Sequence, residues 1–198
     1  RLYQSVILLP YLVSWVIISY LVFAFFSAES GFVNQTILSM MGKDPISWYN
    51  EAGYWPFIIV AVYLWQSTGY TSIVYYASVV GIDRAYYEAA EMEGAGPLKK
   101  IWYITLPLLK PVIITMVMLA VGKIFYSDFG LFYQIPMNSG AILPTTNVID
   151  TYVYRGLLQQ GNIGMSAAAG LYQSVVGFLV VLAANQVVRK IDKESAFF

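Results

Sequence analysis

Residues 86–111 read YYEAAEMEGAGPLKKIWYITLPLLKP and lie between two long apolar runs. Three glutamates and two lysines come before Ile101 in this stretch. If the flanking runs cross a membrane, the stretch must lie outside the hydrocarbon, where charged side chains are costly. Asp83 can cap a helix that begins RAYYEAAEME, in which Glu88 and Glu91 share one exposed face. The pattern predicts a short amphipathic helix outside the bilayer.

Glycine and proline predict where that helix ends. Gly94 and Gly96 should end it because glycine takes positive φ freely. Pro97 suits the first turn of a new helix. We therefore expect a sharp turn and a second short helix that leads through two prolines into the next apolar run and bears Lys99, Lys100, Ile101 and Ile104. Residues 83–105 are called the elbow from here on.

The composition is that of a membrane protein. Hydrophobic residues make up 59% of the 198 residues and charged residues only 11%, against about 25% charged in soluble domains. The net charge is zero, which argues against a nucleic-acid binder. Cysteine and histidine are absent, which excludes disulfides, Cys/His zinc sites, cysteine nucleophiles and histidine acid–base catalysis. We expect no metal and no catalytic residue in the chain.

Four windows are long and apolar enough to cross about 30 Å of hydrocarbon as helices. Pro10 lies in the first window and should bend it, because proline removes a backbone donor and clashes with the preceding turn. An apolar run begins at once after Arg1, so we expect an N-terminally truncated single domain over residues 1–198. The four windows run about Tyr3–Phe26, Trp55–Gly81, Leu106–Phe125 and Ala167–Val188.

Two long connections join these windows. Residues 27–54 are rich in turn formers and predict a loop with one short interfacial helix. Residues 128–166 contain VIDTYVYRGLL, which is apolar enough for a helix but too short to span. We expect this helix to be re-entrant or to lie at the outer surface, buried against protein.

Lysine and arginine predict the orientation. One side of the four spans holds most of them, while the other holds only Lys43 and Arg155. By the positive-inside rule the first side, with the elbow, is cytoplasmic. Four aromatic residues fall where an outer interfacial belt is expected: Trp48, Tyr49, Tyr54 and Trp55. The cytoplasmic cations are Arg1, Arg84, Lys99, Lys100, Lys110, Arg189, Lys190 and Lys193.

The elbow resembles the EAA signature of the permeases of binding-protein-dependent ABC importers. Gly94 stands six positions after Glu88, and nine residues separate Gly94 from Ile104. Glu93 departs mildly, since the family more often has Asp there. The residues at motif spacing are Glu88, Ala89, Ala90, Gly94, Ala95, Ile104, Leu106 and Pro107. LPYLVSWV, DTYVYRGL and GLYQSVVGFLVVLAANQVVRK, with Arg1 and Gln4, further resemble the polysaccharide and oligosaccharide permease subgroup.

The resemblance implies a multi-pass subunit of a bacterial inner or plasma membrane that imports a sugar or oligosaccharide by alternating access. Its fold would be the methionine-importer type of all-α permease core, with two further helices upstream. Its partners would be a second permease, ABC ATPase subunits that bind ATP and Mg²⁺, an extracytoplasmic solute-binding protein and lipid. The elbow would be the coupling helix, in which Glu88 pairs with a basic group of the ATPase and Ala89 and Ala90 allow close approach.

Polar and aromatic residues within spans are candidates for the substrate pathway. Sugars bind aromatic faces together with hydrogen-bonding side chains, because their C–H faces are apolar and their hydroxyls need partners. For each of these residues, packing against a neighbouring helix or lipid is the competing interpretation, and Lys123 could instead snorkel or pair with Asp128. The candidates are Trp65, Gln66, Tyr70, Lys123, Tyr126, Tyr172 and Gln173.

Other functions remain open alternatives. A peptide or amino-acid importer would have the same coupling motif. A membrane anchor or receptor without transport would leave the elbow without an ATPase. An intramembrane aspartyl protease would need Asp128 and Asp150 facing each other within spans, although Asp150 lies in a polar connection. No G-x-x-x-x-G-K-[ST] motif occurs, so nucleotide would bind to a separate chain.

Overall fold

The structure, a computed structural model, describes residues 2–159 and 161–191, and every regular element within them is helical. The all-helical expectation is confirmed. Arg1 and Lys193, used in the orientation argument, lie outside the described residues. The α-helices are α1 Leu2–Leu12, α2 Trp15–Phe26, α3 Trp55–Val80, α4 Arg84–Met92, α5 Pro97–Lys100, α6 Leu106–Gly122, α7 Leu143–Thr146, α8 Ile149–Leu158 and α9 Ile163–Ile191.

Shorter helical turns complete the connections. Val33–Leu38, Ile101–Thr105 and Gly130–Gln134 are π-helical, and Trp48–Asn50, Ala52–Tyr54 and Gly140–Ile142 are 3₁₀ turns. The connection before α3 therefore contains one π-helical segment and two 3₁₀ turns, whereas the sequence predicts a loop with one short helix. The helix α8 confirms the prediction of a short, non-spanning helix in the second connection.

Among residues 2–159 and 161–191, three continuous helices are long and apolar enough to cross a membrane: Ala52–Val80, Pro97–Gly122 and Ile163–Ile191. In the same residues α1 and α2 could form a fourth span as a broken one, since they meet at 96°. The four windows expected from the sequence thus correspond to three unbroken helices and one bent pair. The last helix begins at Ile163, earlier than the window predicts.

The bend in the first window lies later than Pro10. Proline stays inside α1, and the helix closes with Val13 N–H donating to the carbonyl of Pro10 at 3.3 Å. Ser14 then takes extended dihedrals, and its Oγ accepts from Ile17 N–H at 3.4 Å to begin α2. Proline weakens the backbone ladder locally, but the position of the break is set by the serine that can cap a new helix.

The chain divides into two compact units, the first formed by the chain up to Gly69 with Tyr126–Tyr172. Its core packs α2 against the first half of α3 and the turn Gly130–Gln134, with Ile18, Val22, Trp55, Ile58, Ile59, Leu131, Ile135 and Ile142 buried. At Gly69, a side-chain Cβ would lie 1.9 Å from the carbonyl oxygen of Ile7. The backbones of α1 and α3 therefore touch where only glycine fits.

Three of the four aromatic residues expected to form an outer belt, Trp48, Tyr49 and Trp55, are partly or fully buried, whereas Tyr54 is 44% exposed. Trp55 is fully buried, and its indole N–H donates to the carbonyl of Trp48 at 2.7 Å. Edge-on ring contacts join Trp48 to Tyr54 at 5.0 Å and Tyr49 to Trp55 at 4.9 Å. Burial also raises the pKa of the Tyr49 phenol. Tertiary packing decides between belt and core because both positions favour the same ring side chains.

Side-chain hydrogen bonds order the second connection. Arg155 donates to Asn138 at 3.0 Å, to Thr151 at 3.0 Å and to Asn147. Asp128 accepts from the Trp15 indole at 3.0 Å, whereas Asp150 accepts from the backbone N–H of Ser127 at 2.6 Å. The two carboxylates therefore each have their own donors, which is not the shared arrangement that an aspartyl protease needs.

Candidate functional site

The elbow lies within the second unit, which comprises Tyr70–Phe125 and the chain from Gln173 onward. Its first helix, α4, begins as the sequence predicts. Asp83 has extended dihedrals, and its Oδ1 accepts from the N–H of Ala85 at 3.0 Å. One of the unpaired donors at the helix start is thereby satisfied.

A Schellman motif ends α4. Gly94 has φ of +76°, its N–H donates to Glu91 O at 2.9 Å, and Ala95 N–H donates to Ala90 O at 2.9 Å. This double closure needs a left-handed residue, which explains Gly94. Gly96 differs from the expectation, since it has φ of −69° and ψ of 168°, values open to any residue. Only one of the two glycines therefore uses positive φ.

The second helix of the elbow is not separate from the span that follows. Pro97 occupies its first turn, as expected, and the helix continues through the π turn into α6. Leu106 N–H bonds five residues back to the carbonyl of Ile101. Pro107 has no N–H to offer and its ring crowds the preceding turn, so a wider turn keeps the helix continuous. Residues 97–105 are the base of the span itself.

Two side-chain contacts fasten α4 to that base. The hydroxyls of Tyr87 and Thr105 lie 2.9 Å apart, and Lys100 forms an ion pair with Glu91. Thr105 also donates to the carbonyl of Lys100 at 3.4 Å. These four residues are called the clamp. The clamp and the Schellman motif together hold α4 in one orientation relative to the span.

The clamp is the part of the site that sequence reasoning missed. Glu91 and Lys100 are nine positions apart and Tyr87 and Thr105 eighteen, far beyond the three or four positions at which side chains on one helix touch. The only sequence signal was the pair of opposite charges on either side of Gly94. That signal becomes informative only once the turn geometry is known.

The signature residues form the outer part of the elbow. Glu88 is exposed and has no hydrogen-bond or ion-pair partner among residues 2–159 and 161–191. Ala89 beside it is exposed, and Ala90 is half-buried. Gly94 and Pro107 are also exposed, while Ala95, Ile104 and Leu106 are half-buried. The elbow thus presents an unpaired carboxylate next to two small side chains.

The pathway candidates differ in burial. Gln66 on α3 is 8% exposed, and no protein partner for its amide occurs in the part of the chain that the structure describes. Gln173 on α9 is 3% exposed, and its amide donates to the carbonyl of Phe125 at 2.7 Å. Lys123 is exposed at the end of α6. The exposed aromatic candidates are Trp65, Tyr70, Tyr126 and Tyr172.

Within the described residues, no group of three or more His, Cys, Asp or Glu side chains could hold a metal ion. The elbow's geometry is that of a rigid protruding contact surface. Its exposed carboxylate and small side chains suit docking into another protein.

Comparison with known proteins identifies relatives that are similar over nearly the whole of this chain. Protein LplB of Bacillus subtilis is 34% identical over 197 residues, covering 100% of this chain and 61% of that protein. The polygalacturonan/rhamnogalacturonan transport system permease protein YteP of the same species is 33% identical, covering 98% of this chain and 60% of that protein. The chain thus spans about 60% of the length of these curated relatives.

A solved structure matches at the level of the fold. It is a crystal structure of a bacterial alginate ABC transporter in complex with an alginate pentasaccharide-bound periplasmic protein. The TM-score is 0.88 at 33% identity, over 96% of this chain and 65% of that chain. The profile of the family described as "Binding-protein-dependent transport system inner membrane component" matches residues 1–193. This chain, with its apolar spans and its elbow, belongs to that family of membrane components.

Proposed function

We propose that this chain is part of a permease subunit of an ATP-driven importer that moves a sugar or oligosaccharide into the cell by alternating access. Support comes from relatives whose names give polygalacturonan/rhamnogalacturonan and arabinooligosaccharides as cargo, and from the similarity to an alginate transporter. The elbow, residues 83–105, couples the permease to a separate ATPase. The proposal extends to a methionine-importer-type core, with residues 1–198 as one permease domain.

The observation that carries the coupling role is Glu88 on the clamped helix, an exposed carboxylate that has no ion-pair partner within the described residues. Pairing with a basic group of the ATPase would bury its charge only in the assembled transporter. Removing one partner of a buried ion pair costs about 3–5 kcal/mol, far more than at an exposed rim. Ala89 and Ala90 allow the ATPase to approach α4 closely. Gly94 sets the direction in which the chain leaves α4.

Further subunits complete the proposed machine. They are a second permease, ABC ATPases that bind ATP and Mg²⁺, and an extracytoplasmic binding protein that delivers the sugar. In this proposal the chain itself is non-catalytic, and the separate ATPase chains bind and hydrolyse the nucleotide. The sugar and the nucleotide bind at separate sites. Each influences the binding of the other only because it has different affinities for the inward- and outward-facing states of the transporter.

Gln66 is the best supported pathway residue. Gln66 is 8% exposed as a residue, and no buried side-chain nitrogen or oxygen in the described residues lacks a hydrogen-bond partner. Its amide is therefore still accessible to a water or to a sugar hydroxyl in the pathway. Trp65 beside it offers an aromatic face on the same helix, and Tyr70 lies one turn further on. The amide nitrogen of Gln173 is already bound to the backbone. The remaining proposed lining residues are Lys123, Tyr126 and Tyr172.

The test uses the full-length native chain, purified with its neighbours and reconstituted in proteoliposomes. Glu88→Lys and Gly94→Asp are compared with wild type for copurification of an ATPase and for ATP hydrolysis stimulated by sugar-loaded binding protein. Glu51→Lys makes the same charge change at an exposed position of the opposite connection and serves as the matched control.

We expect both elbow variants to lose the ATPase or its stimulation by more than tenfold, while Glu51→Lys behaves as wild type. The sugar that stimulates wild type identifies the cargo, and stimulation only by a peptide or amino acid would contradict the sugar assignment. If no ATPase associates with wild type, the coupling role is wrong, and a membrane anchor without transport becomes the better explanation.

A further inference from the structure

A shallow recess of about 440 Å³ lies at the base of the span that begins at Pro97. It is lined by Leu98, Lys99, Trp102 and Tyr103. The three large apolar or aromatic side chains are strongly exposed, with 71% of Leu98, 67% of Trp102 and 80% of Tyr103 accessible. Exposed rings at the end of an apolar helix call for an occupant that is itself partly apolar.

Helical spacing explains how the recess forms. Leu98 and Trp102 are four residues apart, as are Lys99 and Tyr103, so the two pairs form neighbouring rows on one face. The π turn Ile101–Thr105 begins between the two members of each row. The result is a surface with an apolar row and, beside it, a row that carries a cation and a phenol.

The charge on this face is not balanced by the protein. Lys100 is turned to Glu91 and forms the ion pair of the clamp. Lys99 has no carboxylate partner in residues 2–159 and 161–191, the part that the structure describes. One adjacent lysine thus stabilises the elbow, while the other leaves its positive charge at the recess.

We propose that this recess binds the headgroup of an anionic phospholipid of the cytoplasmic leaflet. The Lys99 ammonium meets the lipid phosphate, and the Trp102 and Tyr103 rings lie at the headgroup level, where aromatic residues are enriched. Leu98 contacts the upper acyl chain. Positive charge next to a cytoplasmic membrane surface is attracted by anionic lipid, and the positive-inside count places this end of the span on that side.

A bound lipid explains the composition of the recess better than docking into a groove of another protein does. The rings are exposed where the charged elbow gives way to the apolar span, a polarity gradient that matches a membrane interface. Glu88, the proposed ATPase contact, lies on α4 rather than on this base. The inference therefore does not depend on the transport function or on the cargo.

The test uses the full-length chain with its native partners in lipid nanodiscs. Brominated phosphatidylglycerol or brominated phosphatidylcholine is titrated into nanodiscs of the non-brominated lipids, and quenching of tryptophan fluorescence is followed. Trp102→Phe identifies the part of the signal that comes from this indole. Lys99→Gln is compared with Lys99→Arg, which keeps the charge, and with Lys43→Gln, an exposed lysine of the opposite connection.

We expect the preference of the Trp102 signal for phosphatidylglycerol to fall about fivefold in Lys99→Gln and to persist in Lys99→Arg and Lys43→Gln. An equal signal from both lipids in wild type would overturn the proposal, as would displacement by millimolar inorganic phosphate. Loss of the ATPase from Lys99→Gln would show that the recess is a protein interface. Glu88→Lys should leave the lipid preference unchanged, which separates this test from that of the proposed function.

Discussion

Gly94 and Gly96 stand two positions apart in the elbow, and the structure gives them different roles. Gly94 is left-handed with φ of +76°, and a side chain there would meet no atom within 4 Å. Gly96 is extended and equally uncrowded. Any difference between substitutions at the two sites therefore measures backbone conformation alone.

Gly94→Ala should destabilise the turn by about 1–2 kcal/mol, the cost of a left-handed conformation for a residue with a Cβ. Gly96→Ala should be close to neutral. Hydrogen exchange of the amides of residues 94 and 95, which close the Schellman motif, measures the difference. Equal protection in both variants would contradict the assignment of the turn to Gly94.

Gly69 is constrained by space. Because a Cβ would lie 1.9 Å from a backbone oxygen of α1, no rotation of a side chain relieves the clash. We predict that Gly69→Ala separates α1 from α3 and destabilises the protein by about 1–3 kcal/mol. Thermal unfolding in detergent tests this against Gly164→Ala, an uncrowded helical site in α9 where alanine should be neutral or mildly stabilising.

Among the secondary-structure elements, the first helix of the elbow, α4, is short and is held in place by contacts at both of its ends. Nine residues form only a marginal helix by themselves. The Asp83 cap, the Schellman motif and the clamp each fasten a different part of α4. If the proposed ATPase docks on the elbow, its movement would therefore be transmitted to the base of the span by α4 as a unit.

A double-mutant cycle tests whether the Tyr87–Thr105 contact stabilises α4 against the base of the span. Tyr87→Phe and Thr105→Val each remove one hydroxyl, and a hydrogen bond of this kind contributes about 0.5–1.5 kcal/mol. We expect each variant to speed hydrogen exchange in α4 and the double variant to add little beyond the larger single effect. Fully additive effects would mean that the two hydroxyls do not interact.

A functional measurement complements this cycle. In reconstituted transporter, Tyr87→Phe should reduce sugar uptake per ATP hydrolysed while leaving ATPase copurification intact. Loss of copurification would instead place Tyr87 in the docking surface itself.

At the scale of the whole molecule, the described helices supply three continuous spans and one bent pair. The distribution of lysine and arginine in the sequence predicts that the elbow and the base of the third span are cytoplasmic and that the connections 27–54 and 128–166 are extracytoplasmic. The orientation rests on charge alone and can be measured directly.

Cysteine labelling tests it, since the 198 residues contain no cysteine. In full-length protein freed of other cysteines, Lys43→Cys should react with a membrane-impermeant maleimide on intact spheroplasts. Glu93→Cys, exposed at the end of α4, should react only after the membrane is opened. The reverse pattern would invert the topology and remove the elbow from the reach of a cytoplasmic ATPase.

Local sequence patterns were enough to predict the helical membrane class, the approximate windows of the spans and three features of the elbow: the Asp83 cap, the turn at Gly94 and Pro97 at the start of the next helix. These features depend on neighbouring residues: apolar length, a capping side chain, or a residue with a special backbone range. The family resemblance likewise rests on a local motif, and the matching family profile confirmed it.

The contacts between residues far apart in sequence became visible only in the folded chain. These contacts bury Trp55 in a core, bring α1 against Gly69 and form the clamp across the turn. An aromatic or a glycine has the same identity at an interface, in a core or at a helix crossing. Its role follows from what packs against it, because burial and close approach depend on the three-dimensional neighbours and not on the residues next in sequence.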